Sequence, residues 1–167
     1  MAESEKIFSS KMKYGGLLQF ADFYKFCYDW LEEEFGLSMT EDAYIEKISG
    51  DTKNIDIEWS GSRKITDYFQ FKVSVKFKII ALKKVEVEVN GVKQKMNDAS
   101  VEVKVNSTLV RDYQGKFEEN GLQKFLRSIY EKWIIGGRID QMEDKLVGDS
   151  NDFLEQAKSY LALEGKR

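Results

Sequence analysis

Glu102-Val103-Lys104, with Asp98 four residues upstream, is the one short spacing in this chain that could organise hydrolytic chemistry. Little else could assist it. The 167 residues include no histidine, no proline and a single cysteine, Cys27. Without histidine there is no Ser-His-Asp or Cys-His arrangement, and no imidazole to ligate zinc or move a proton. Cys27 has no base to activate its thiol and reads as a small buried hydrophobe. The 29 acidic residues offer no spacing that singles out the paired acid and base of glycoside hydrolysis. Gly15-Gly16 and Gly136-Gly137 lack the spacing with which a phosphate loop turns successive amides inward. These residues point to a non-enzymatic protein that needs no cofactor and no metal.

Two carboxylates can hold a cation while a lysine orients water. In that respect Asp98, Glu102 and Lys104 resemble the metal-dependent nucleases that carry an Asp…Glu-x-Lys motif. The resemblance implies metal ligation by Asp98 and Glu102, with Lys104 positioning the attacking water. The other reading is that any strand decorated with Lys and Glu generates Glu-x-Lys, with Lys95 as the cross-strand partner of Glu102.

The strand itself is easily read. Apolar residues alternate through Phe69, Phe71, Val73, Val75, Phe77 and Ile79, then Val85, Val87 and Val89, then Val101, Val103 and Val105. A period of two marks strands with one dry and one wet face. Asn90-Gly91 tolerates the positive φ of a two-residue hairpin turn, which pairs Val89 with Val92, Glu88 with Lys93 and Glu86 with Lys95. Loops at 81–84 and 97–100 would divide residues 68–110 into four strands. Their wet face then carries the row Lys78, Glu86, Lys95, Glu102. Opposite charges in such a row choose register more than they add stability, at about 0.2–1 kcal/mol per pair.

Further strands are expected at 7–14, 44–49 and 54–59, with breaks at Gly15-Gly16, Gly50-Asp51 and Ser60-Gly61-Ser62. Residues 17–35 read as a helix ended by Gly36 in a left-handed cap. After Gly115 the period changes. Leu122, Phe125, Leu126, Ile129, Tyr130, Trp133 and Ile134 form one helical stripe, with Asn120 as N-cap. Two more helices, 138–147 and 151–163, follow breaks at Gly136-Gly137 and Gly148-Asp149-Ser150. Together these predict one α+β domain over 1–167. An antiparallel meander of about five to seven strands has one face covered by the aromatic N-terminal helix and the C-terminal helices, in two layers. The element order broadly resembles the START-like helix-grip domains. That resemblance implies a curved sheet closing on a C-terminal helix around a small apolar ligand.

Helix 17–35 is apolar over most of its circumference, so flanks left uncovered by the C-terminal helices call for a partner or a second copy. Phe23, Phe26, Trp30 and Trp133 are the candidate contacts for a protein–protein interaction or assembly function. A second function class rests on charge. The net charge is −3, but residues 63–95 hold nine basic and three acidic side chains. Lys72, Lys76, Lys78 and Lys93, with Tyr68 to stack on a base, could bind nucleic acid or another polyanion. Glu86 and Glu88 are expected among those lysines, where they quench the field a phosphate would meet. No apolar run suits a secretion signal or a membrane span, so a cytoplasmic protein without membrane attachment is the expectation.

Overall fold

The computed structural model describes residues 3–115 and 120–165. Five antiparallel strands form one sheet: β1 (Glu3–Leu18), β2 (Ser38–Ser49), β3 (Thr52–Lys64), β4 (Phe69–Val89) and β5 (Val92–Arg111), in the order β1-β5-β4-β3-β2. Helix α1 (Phe20–Glu33) connects the two edge strands. Helix α2 (Gly121–Ile129) continues through a wide turn, Tyr130–Ile134, into α3 (Gly136–Gly165). The two-layer α+β arrangement follows from a sheet with one apolar face.

That face is built by parity. Phe69, Phe71, Val73, Val75, Phe77 and Ile79 of β4 are buried, as are Val101, Val103, Val105 and Leu109 of β5 and Ile55, Ile57 and Trp59 of β3. Phe23, Cys27 and Leu31 of α1 and Leu146, Phe153, Ala157 and Leu161 of α3 close over them. Burial drives the Cys27 thiol pKa well up. Trp59 lies at the centre, with Phe77 at 4.6 Å between centroids and Tyr24 and Tyr28 edge-on at 5.1 and 5.2 Å. Its indole Nε1 donates to Glu41 at 3.2 Å, and the Tyr24 hydroxyl donates to the same carboxylate, so α1 is tied to the edge strand β2.

The hairpin turn falls at Asn90-Gly91 (φ +54° and +80°), and the pairs Val89–Val92, Glu88–Lys93 and Glu86–Lys95 form as the turn chemistry requires. Gly36 adopts φ +80°, which lets Leu37 N–H return to the Leu31 carbonyl and ends α1.

Several expected boundaries are absent. Residues 68–110 form two strands rather than four, because the expected loop at 81–84 is only a one-residue bulge between Ile80 and Lys83 and 97–100 stays in register with β1. The row Lys78, Glu86, Lys95, Glu102 therefore does not exist; Lys78 faces Glu102, and Glu86 faces Lys95 farther out. β1 runs through Gly15-Gly16, where Tyr14 folds back over Gly16 and donates to the Leu17 carbonyl. β3 runs through Ser60-Gly61-Ser62. α3 passes unbroken through Gly148-Asp149-Ser150, since Leu146 and Phe153 anchor both flanks in the core and Ser150 meets the buried Ser107 at 2.6 Å.

Burial, a hydrogen bond to Glu41 and that carboxylate's charge push the Tyr24 phenol up to about 12. Burial and Glu46 do the same for Tyr44, also to about 12. A phenol raised above the ordinary ~10 of an unfolded chain stabilises the fold below that pH, and the contribution is lost as pH climbs from about 10 to about 12. Absorbance at 295 nm should show these two, and Tyr68 with them, still protonated at pH 11 among the eight tyrosines, with unfolding setting in above. A single titration of all tyrosines near pH 10 with the fold intact would contradict this. In the core, Phe23→Ala should cost about 3–5 kcal/mol in urea unfolding, and Trp133→Ala should stay within about 0.5 kcal/mol in chain dilute enough to be monomeric.

Candidate interaction surfaces

The four aromatic contact candidates separate. Phe23 is fully buried against Phe77 and Tyr160. Phe26 stacks on Tyr160 of α3 at 4.5 Å, and Trp30 packs against Phe153 and Phe35. The flanks of α1 are therefore largely covered by α3. Trp133 is different: it is 75% exposed, with Lys132 Nζ over its ring at 5.3 Å.

Trp133 belongs to a larger feature. The stripe expected to face the sheet is turned outward: Leu122, Phe125, Leu126, Ile129 and Ile134 are exposed with it. What faces inward is polar. Asn120 caps the helix by accepting from Gln123 N–H at 2.9 Å. One turn on, Arg127 is buried, bonding Glu3 of β1 at 3.1 Å with Asp112 at 3.7 Å. Arg111 bridges Glu3 at 3.1 Å and Glu131 at 3.5 Å. The Tyr68 hydroxyl donates to Glu131, and its ring meets Tyr130 edge-on at 5.4 Å. Burial first, and then that bond to Glu131, raise the Tyr68 phenol far above its usual value.

An apolar stripe has the same spacing whichever way its helix is rolled, so the sequence could not place it. The residues that settle the matter, Glu3, Arg111, Asp112, Arg127 and Glu131, come from three distant segments. Only the Arg127–Glu131 spacing, one turn apart opposite the stripe, was visible, and it reads as an ordinary solvated face.

The lysine candidates separate as well. Tyr68 serves the α2 cluster and does not share a face with Lys72, Lys76 and Lys78, which are exposed on the outer side of the sheet. Lys93 stands on the end of the β4–β5 hairpin, where residues 85–96 pair only with each other. Asp98 and Glu102 lie four residues apart on one strand, about 13 Å, which is too far to share a metal ion. Glu102 faces Lys78 and Lys13 and pairs with Lys11 at 3.6 Å, so Lys95 is not its partner.

The space between α3 and the sheet is filled by the large side chains already named. A partly apolar cleft of about 400 Å³ opens at the sheet end, lined by Phe20, Ile48, Leu82 and Lys84 among others. Among the described residues, no helix is long and apolar enough to cross a membrane. The chain matches no family model, no curated protein and no solved structure.

Removing one member of a buried ion pair leaves the other without its counter-charge. Arg127→Ala should therefore loosen α2 by roughly 2–4 kcal/mol, less than for a fully buried pair because Glu3 is partly solvated. Hydrogen exchange should speed in residues 121–134 and stay slow in β4. Equal protection in both proteins would show that the ion cluster does not hold the helix.

Proposed function

We propose that this is a non-enzymatic assembly protein, and that the occupant of its α2 stripe is a second copy of the chain. The observation that carries the reading is the outward roll of α2: six large apolar side chains exposed, with charged residues beneath. Monomers seldom expose a contiguous apolar patch beyond ~300–600 Å². Six side chains of these sizes and exposures present on the order of 650 Å². Two such faces would bury roughly 1,300 Å² together, within the ~1,200–2,000 Å² of a standard stable interface. A two-fold pairing is self-complementary: antiparallel helices would set Leu122 near Ile134 of the other copy and cross near Ser128. It would also bring Lys124 toward the other copy's Lys132. That repulsion is exposed and costs at most ~1 kcal/mol, small against the apolar area gained.

Light scattering across a dilution series tests this. The 19.4-kDa chain should have twice its mass at micromolar concentration, and Phe125→Lys with Trp133→Lys should return it to the monomer, with a urea transition that stays cooperative and no longer shifts with protein concentration. A monomer at every concentration would overturn the reading. If that monomer instead sedimented with anionic vesicles, the stripe would belong on a lipid surface.

A further inference from the structure

The outer face of the sheet carries a second feature, independent of α2. Cross-strand pairing places Ser9, Asn106, Ser74, Ser60 and Thr40 side by side across all five strands. Short hydroxyl and amide side chains make this row a trough, and a shallow pocket of about 410 Å³ occupies part of it. Lysines stand on both banks. On one side are Lys72 and Lys6, each facing Thr108. On the other, Lys11, Lys104 and Lys76 face one another directly, and Lys13 and Lys78 flank Glu102 one row beyond.

Like charges directly opposite on adjacent strands are destabilising, so the Lys11–Lys104–Lys76 row costs the fold stability unless an anion lies over it. Glu102 and Glu58 offset part of that charge, through Lys11 at 3.6 Å and Lys76 at 3.7 Å, and Asp56 faces Lys78 in the row beyond. Among the described residues Lys104 and Lys72 have no ion-pair partner within 4 Å. Glu86 and Glu88 do not quench this field. One extra residue at Ala81 (φ +56°) shifts the pleat between Ile80 and Lys83, so both glutamates project to the opposite side of the hairpin.

We propose that this trough binds an extended chain of phosphate groups lying across the strands. The banks are four residues apart along β4, about 13 Å, which admits one chain but not a duplex about 20 Å wide. Hydroxyls and the Asn106 amide would donate to phosphate oxygens, and the lysines would neutralise them. With no aromatic side chain in these rows, the ligand is held by its backbone and not by stacked bases. A single-stranded nucleic acid and a linear polyphosphate share that chemistry.

Fluorescence anisotropy with labelled dT12, a labelled 12-base-pair duplex and unlabelled polyphosphate as competitor tests the site. The full chain should bind dT12 more tightly than the duplex, and polyphosphate should displace it. The more effective of the two identifies the source of the phosphate. Five lysine contacts predict about a 100-fold loss of affinity between 50 and 200 mM salt. Lys76→Gln with Lys104→Gln should weaken binding about tenfold and lower the salt slope by about 1.4, whereas Lys93→Gln should change nothing. Ser74→Leu should block the trough while leaving the urea midpoint in place. Absence of binding at 50 mM salt, a preference for the duplex, failure of polyphosphate to compete, or full affinity in the lysine double variant would each overturn the assignment.

Discussion

Pleat parity is the constraint on which the rest of this structure depends. Along β4 and β5 every second side chain is apolar and faces α1 and α3, so every other one must face outward. The same alternation that assembles Phe71, Val73, Val75 and Phe77 into a core places Lys72, Ser74, Lys76 and Lys78 on the opposite surface. A slip of one residue exchanges the two sets, and the bulge at Ala81 makes that exchange locally. Beyond it the valines of the hairpin continue the outer face, and the glutamates leave it. One backbone irregularity thus separates a lysine surface from the acids that would have neutralised it.

The helical layer follows a different logic. α1 and α3 are placed by apolar burial, with Phe26 on Tyr160 and Trp30 on Phe153 sealing the contact between them. α2 is placed by charge. Arg127 and Arg111 draw Glu3, Asp112 and Glu131 together beside Tyr68, which fixes the roll of the helix and leaves its apolar residues outside. An ion cluster of this kind adds little net stability because its members lose hydration. Its effect is to choose an orientation.

These two logics explain what the sequence disclosed. The hairpin at Asn90-Gly91, the cap at Asn120, the turn at Gly36 and the dry face of β4 and β5 are encoded by neighbouring residues, and each was legible. The bulge was not, since Ala81 gives no sign of a positive φ. β1 was underestimated because Gly15-Gly16 reads as a break unless Tyr14 is known to cover it. α3 was divided at Gly148 for the same reason: the tertiary contacts of Leu146, Ser150 and Phe153 decide the matter. The orientation of α2 lay beyond local signals, because the five charged residues that set it are spread from position 3 to position 131. Phe23 is a contact candidate only because helix 17–35 is apolar over most of its circumference, and the structure buries it; Trp133 is exposed, in a stripe whose direction the sequence does not show.

The central claim is that the outward face of α2 meets its own copy, and a distance measured across that contact tests it most directly. A spin label at Ser128, introduced as Ser128→Cys in a Cys27→Ala background, is exposed at the midpoint of the helix and borders the ion cluster without bonding to any of its members. Helix axes packed at about 8–10 Å would bring the two labels to roughly 15–25 Å, and dipolar spectroscopy should show that distance in the wild-type surface and lose it in Trp133→Lys. A dimer whose labels are far apart, or no intermolecular distance at all, would contradict the account.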